Sequence, residues 1–293
     1  MPEPILDQWA SWILHRRHGD DAAEYARTLE RLEGVRDRVI ANAALAVGET
    51  LLDVGCGDGL IAFGALARVG ESGRVIFSDI SQDLLDHARA LAKQLDVVDR
   101  CRFVRANAED LGAISSDSVD VATTRSVLAY VGQKERAFAE FARVLKPGGR
   151  ISLYEPVNSL FYPEPLDDFF GYDTGPVQDL VERINAVYES RQPPQSDPMF
   201  DYDERDLLRF AADAGFGERH LELRVDIAPQ LPQDWDTFTR TSPNPLAPTL
   251  EEAIAEALPV DEAARFTAHL RPLVEQGKGT FSVAVAYLWA VRT

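Results

Sequence analysis

From Thr50 onward the chain alternates short apolar runs with helical stretches, and this rhythm restricts the possible folds more than any other feature. The runs are TLLDV (50–54), RVIFS (74–78), CRFVR (101–105), VDVATT (119–124) and RISLYE (150–155). Between them, apolar residues recur at helical spacing near 59–69, 81–95 and 133–146. Strands separated by helices of this length pair in parallel through right-handed crossovers. The runs are apolar almost continuously, so both faces of the sheet are expected to be covered by helices. Ser81 is placed to cap the second helix, and Gly70 lies just beyond the first. The expectation is an α/β fold with a doubly wound, mostly parallel sheet.

Elements around this core read less regularly. Near 4–17, Ile5, Trp9, Trp12 and Ile13 form one apolar stripe at helical spacing. A second helix is expected to start at Asp21, with Glu24 as a capping-box partner, and to end before Gly48. The chain divides into an N-terminal helical lid (1–45), a core (46–156), an acidic aromatic-rich insertion (157–202), a core continuation (203–229), a helical insertion (230–278) and a final core strand (279–293). Within the insertions, helices are expected near 176–190, 249–257 and 261–275. Both insertions are expected over the carboxyl edge of the sheet, not as an independent domain.

With 45% hydrophobic residues in 293, the chain is apolar enough to fold as a globular protein. Its net charge of −18 argues against broad nucleic-acid binding and against docking on an anionic membrane. Two cysteines, Cys56 and Cys101, make neither a disulfide framework nor a cysteine-rich metal site, and no metal is expected. The N-terminal stretch MPEPILDQWASWILHRRHG has no basic leader and no long apolar run, so a reduced, cytoplasmic setting is expected.

The chemistry is concentrated in LLDVGCGDGL (51–60). An apolar strand ends in Asp53, and Gly55, Gly57 and Gly59 follow before a helix opens. Glycines there let a ligand approach the backbone at the carboxyl end of the first strand, where open α/β sheets bind ligands. The dinucleotide fingerprint wants a glycine where Leu60 stands. The second strand ends in Asp79, whose carboxylate can accept hydrogen bonds from both hydroxyls of a ribose. Asn107, Ala108 and Glu109 follow the third run, so three strand ends would line one crevice shaped for a nucleoside.

These pieces, with ARVLKPGGRISLYEP before and through the fifth strand, resemble the class I S-adenosylmethionine-dependent methyltransferases over about 45–227 and the last strand. The resemblance implies a Rossmann-like sheet of seven strands with an antiparallel last strand, and S-adenosyl-L-methionine as cofactor. It implies that Gly55, Cys56, Gly57 and Gly59 pass beside the methionine part, and that Asp53 organises the loop and the amino group. Asp79 would then hold the ribose, Ile80 would lie on the adenine, and Asn107, Ala108 and Glu109 would edge the ring. Arg125 joins this cofactor set. The Cys56 thiol itself reads as a small buried filler.

Arg125, Tyr130, Glu155 and Asn158 follow the fourth and fifth strands, where acceptors meet the methyl group in that fold. Tyr130, Glu155 and His15 are the candidate catalytic groups, and Tyr25, Tyr130 and Asn158 the candidate substrate contacts. The N-terminal Trp9, Trp12, His15 and His18 read first as an amphipathic helix on the core, and alternatively as a lid over the cofactor. Residues 160–206 hold twelve acidic residues against three arginines, half of the net charge. Their aromatic side chains read as the lid's own core, or else as a pocket wall. His220 and His269 read as structural.

The activity expected is methyl transfer to a small-molecule acceptor, with oxygen favoured over nitrogen or carbon. The fourth strand lacks the Asn/Asp-Pro-Pro-aromatic signature of enzymes acting on exocyclic or amide nitrogens, and two thiols are too few for arsenite methylation. An NAD-type dehydrogenase and a catalytically silent S-adenosylmethionine-binding protein are the alternatives. No nucleic-acid or membrane partner is expected, and the chain is expected as a monomer or homodimer.

Overall fold

The structure is a computed structural model and describes residues 6–163, 165 and 167–293; Ile5 of the N-terminal stripe lies outside them. The chain enters through a short helix α1 (Gln8–Ser11) that runs into a π-helical turn (Trp12–Arg16), then helix α2 (Ala22–Asn42). The core follows as β1 (Thr50–Val54), α3 (Leu60–Val69), β2 (Arg74–Asp79), α4 (Gln82–Gln94), β3 (Cys101–Arg105), β4 (Val119–Arg125), α5 (Lys134–Val144) and β5 (Leu145–Pro156). A two-stranded ribbon, β6 (Asp168–Phe169) with β7 (Tyr172–Asp173), precedes α6 (Gln178–Arg191) and α7 (Glu204–Asp213). The last elements are β8 (Phe216–Pro229), α8 (Trp235–Arg240), α9 (Leu250–Ala257), α10 (Val260–Gln276) and β9 (Thr280–Arg292).

Seven strands form one sheet in the order β3-β2-β1-β4-β5-β9-β8. All pairs from β3 to β5 are parallel, and β9 runs antiparallel to both β5 and β8. Consecutive β1 residues bury on opposite faces, as continuous apolar strands require. Leu52 and Val54 pack with Phe138 and Phe141 of α5 and Phe210 of α7, whereas Leu51 packs with Ile40 of α2 and with Ile61 and Ala65 of α3. Strand β8 closes the edge with Glu218, Arg219, Glu222, Arg224 and Asp226, charges that discourage pairing with another chain. His220 stacks on Trp289 and pairs with Glu218, and His269 bonds the Asp173 carbonyl; both serve structure.

Two local expectations change. The N-terminal stripe is not one regular helix, because Arg17 N–H bonds five residues back to the Trp12 carbonyl and widens the turn. Asp21 does cap α2, accepting from the Ala23 and Glu24 amides, but the Glu24 carboxylate turns outward to Arg27 instead of completing a capping box. The two insertions pack on one another. Phe169, Tyr172, Leu180 and Ile184 of the first pack with Trp235, Leu250, Phe266 and Leu270 of the second in a shared apolar core. Arg183 with Glu262, Arg191 with Glu256, and Arg265 with Asp179 bridge its rim. They form a single cap.

Candidate active site

The strand order reverses between β1 and β4, and a cavity of about 340 Å³ opens beside their carboxyl ends. One half of its wall is β-strand ends and the loops that leave them: Gly55, Gly57, Asp79, Ile80, Asn107 and Ala108. The other half comes from far-apart segments: Trp9, Trp12, Arg17, Tyr130, Asn158 and Met199.

The first half is held by carboxylates facing backbone amides. Gly57 has φ 56°, a left-handed backbone that favours glycine, and a Cβ there would lie 3.1 Å from Ile13 Cδ1 and press on the N-terminal segment. Asp79 accepts from the Gly57 N–H and the Ser81 N–H, each at 2.9 Å. Burial raises its pKa above the ordinary carboxylate range, and the two amides oppose that rise. Asp53 lies beneath the loop, accepting from Thr123 Oγ1 at 2.9 Å and from the Ala62 N–H at 3.2 Å. Burial pushes it up to about 7, against the pull of those hydrogen bonds. It ties β1 to β4 and to the start of α3, and it does not reach the cavity wall.

The second half is built by packing. The Trp9 ring stands edge-on to Tyr130 with centroids 5.1 Å apart. Trp12 Nε1–H donates to the Ser242 carbonyl at 2.9 Å, joining the N-terminal segment to the cap. Asp7 accepts from Ser81 Oγ at 2.7 Å, which pins the same segment two residues from Asp79. Buried Lys134 donates to the carbonyls of Val131 and Pro198 and to Asp201, fixing the turn that presents Met199. Asn158 donates to the Met199 carbonyl at 3.3 Å.

Of the residues singled out from sequence, Gly55, Gly57, Asp79, Ile80, Asn107, Ala108, Arg125, Tyr130 and Asn158 share this wall. Glu155 does not, and it is no free base. At 0% exposure it accepts the Val127 and Leu128 amides at 3.1 and 3.0 Å, and burial pushes it up to about 7. It is a positioning residue for the turn that carries Tyr130. Burial also raises the Tyr130 phenol, which keeps its proton at neutral pH. His15 faces solvent and pairs with Asp20, and Tyr25 packs on His18; neither lines the cavity. Glu109 turns to the Gln133 amide at 2.6 Å. Cys56 and Gly59 lie under the loop, and burial raises the Cys56 thiol well above its ordinary value, leaving it inert.

Sequence reasoning missed Arg17, Met199 and Pro243. The signal for Arg17 was its place five residues after Trp12, which shares a face only in a π turn. The aromatic residues of 160–206 contribute nothing to this wall; Phe169 and Tyr172 fill the cap core instead.

Residues 51–149 match the family of the methyltransferase domain. The chain is 34% identical over 171 residues to an uncharacterised 37.1 kDa protein in transposon Tn4556 of Streptomyces fradiae, covering 58% of this chain and 44% of that protein. It is 33% identical over 173 residues to the ubiquinone/menaquinone biosynthesis C-methyltransferase of Klebsiella pneumoniae, covering 58% and 66%. The chain thus spans about half the length of the curated relatives it matches. Among solved structures, geranyl diphosphate C-methyltransferase of Streptomyces coelicolor, crystallised with S-adenosyl-L-homocysteine, superposes with TM-score 0.52 at 20% identity over 95% of this chain and 88% of that one. Glycine loop, strand-end acid, sheet order and sequence match agree: the chain belongs to the class I S-adenosylmethionine-dependent methyltransferase family.

Proposed function

We propose that this chain binds S-adenosyl-L-methionine and transfers its methyl group to a small-molecule acceptor. The observation that carries the reading is the two-part cavity, in which a half lined by strand-end loops adjoins an aromatic half. The first half suits the cofactor: Gly57 brings bare backbone to the cavity, Asp79 offers remaining lone pairs to a ribose, and Ile80 with Ala108 gives the base an apolar slot. The bound cofactor supplies a methyl group already activated on a sulfonium. The protein's part is alignment and exclusion of water, for which Trp9, Trp12, Tyr130 and Met199 form the acceptor side.

No base stands ready on that side. Glu155 is spent on backbone amides and Tyr130 keeps its proton. This favours an acceptor whose nucleophilic atom needs no proton removed. The preference for oxygen over carbon has no support in the wall or in the relatives, one of which is named for C-methylation, and it is not carried further. The net charge of −18 favours a small acceptor over a nucleic acid.

Calorimetry with S-adenosylmethionine, S-adenosylhomocysteine and NAD tests the reading. Binding of the first two and not of NAD is expected. NAD binding without S-adenosylmethionine binding would establish the dehydrogenase alternative. S-adenosylhomocysteine accumulating only when an acceptor is added separates an enzyme from a silent binding protein.

A further inference from the structure

Resting on the methyltransferase reading, we propose that the acceptor is an organic anion, a carboxylate or a phosphate ester with an apolar body, held by Arg17 and Arg125. Both arginines line the same cavity, one from the N-terminal segment and one from the end of β4. Carboxylates outnumber Lys and Arg by 18 in this chain, and more than half of its arginines are ion-paired. Among the described residues, however, neither Arg17 nor Arg125 has a carboxylate within ion-pair distance. Two half-buried guanidinium groups lining one cavity without a counter-charge are held at a cost that an anionic ligand would relieve.

The nearby acids do not fill the role. Asp79 is turned to the Gly57 and Ser81 amides, and Glu155 to the amides of Val127 and Leu128. Asp58, in the glycine loop, supports the Arg17 charge only at longer range. The missing charge shows in Arg17 itself, which burial first and the Arg125 charge next hold down to about 10. Nor does the cofactor balance the pair. Its methionine part brings one carboxylate but also an ammonium and a sulfonium, so loading it adds net positive charge beside the two arginines. An acceptor with an anionic handle closes the balance, and the planar guanidinium fork matches a carboxylate or phosphate with two parallel hydrogen bonds. The surrounding Trp9, Trp12 and Met199 would cover the acceptor's apolar part. The Arg17 guanidinium already lies 5.3 Å from the Trp12 ring centroid, so charge and apolar surface meet in one place.

The test uses the full chain loaded with S-adenosylhomocysteine and reads tryptophan fluorescence, since Trp9 and Trp12 line the wall. The probes are benzoate and phenyl phosphate, with benzamide and phenol as neutral counterparts. At least one anion is expected to bind about tenfold or more tightly than its neutral counterpart, the preference of one charge-assisted pair. Benzoate alone identifies a carboxylate handle, and phenyl phosphate alone a phosphate ester. Arg17→Gln and Arg125→Gln are each expected to erase the preference, and Arg17→Lys to restore part of it. Neutral probes binding as tightly as the anions, or no response to either anion at millimolar concentration, would overturn the proposal. So would Gln variants that lose S-adenosylhomocysteine but keep the anion preference, which would assign the arginines to the cofactor. Should a variant fail to fold, the wild-type comparison of charged and neutral probes still decides. If the wild type does not bind S-adenosylhomocysteine, the methyltransferase reading fails. The same titration on the unloaded protein then still reads the arginine pair.

Discussion

The two halves of the cavity are built by opposite means. The half proposed to face the cofactor is made of strand ends and their first loop residues, and its key contacts join neighbours in the sheet: Asp53 to Thr123 across β1 and β4, Asp79 to Gly57 across β2 and the β1 loop. The half proposed to face the acceptor is assembled from segments separated by much of the chain, with Trp12 fixed by Ser242 and Met199 by Lys134 and Asn158. The difference shows how one fold can keep a common reagent while changing what it acts on. The sheet dictates the first half, and the packing of appended segments decides the second.

Variants can break or sharpen this contrast. The largest effect is expected from Asp53→Asn, read as stability against pH. Asp53 ordinarily titrates near 3.8, and burial holds it near 7 in the folded protein. Its contribution is therefore full below about 4 and is lost as pH rises through about 7. The neutral variant should gain on the wild type over that interval by up to about 4 kcal/mol in denaturant melts. A flat difference across pH would mean that Asp53 is already ionised under the loop. Next, Glu155→Ala should cost about 3 kcal/mol of stability by orphaning two buried amides, with Glu155→Gln recovering part. It should disturb the acceptor half, so a lowered melting temperature with unchanged S-adenosylhomocysteine affinity is the signature. Asp79→Ala inverts that signature: about 1–3 kcal/mol is expected to be lost from cofactor affinity by calorimetry. An unchanged dissociation constant would remove Asp79 from the ribose role.

Smaller effects probe the seam between the halves. Trp12→Phe deletes the hydrogen bond to Ser242 and should weaken docking of the N-terminal segment by about 1 kcal/mol, read as faster amide exchange over residues 7–18. Arg16→Ala removes an exposed pair with Glu252, at 2.5 Å, and should change stability by less than about 0.5 kcal/mol. If the Arg16 effect exceeds the Trp12 effect, surface charge and not the buried indole bond holds the segment down.

The same contrast explains what could be read from the residues alone. Gly55, Gly57, Gly59 and Asp79 were legible because a parallel strand, its loop and its helix form a local unit, and each glycine stands where the backbone needs it. The sheet followed from the rhythm of apolar runs for the same reason. Arg17 was hidden because a π turn shifts the stripe by one residue, and single-residue phase changes leave no mark on a pattern averaged over a helix. Glu155 looked like a base at a strand end, and only the fold around Val127 and Leu128 shows it bonded to their amides. The union of the two insertions rests on contacts such as Phe169 with Phe266, which no local periodicity reports.

The N-terminal segment, fastened to Ser81 at one end and to Ser242 further along, has a kinetic consequence. It forms one wall of the cavity over both halves, so its detachment would widen the way in and out for any ligand. Loosening these fastenings should then speed association and departure together, and shift both rates more than the affinity.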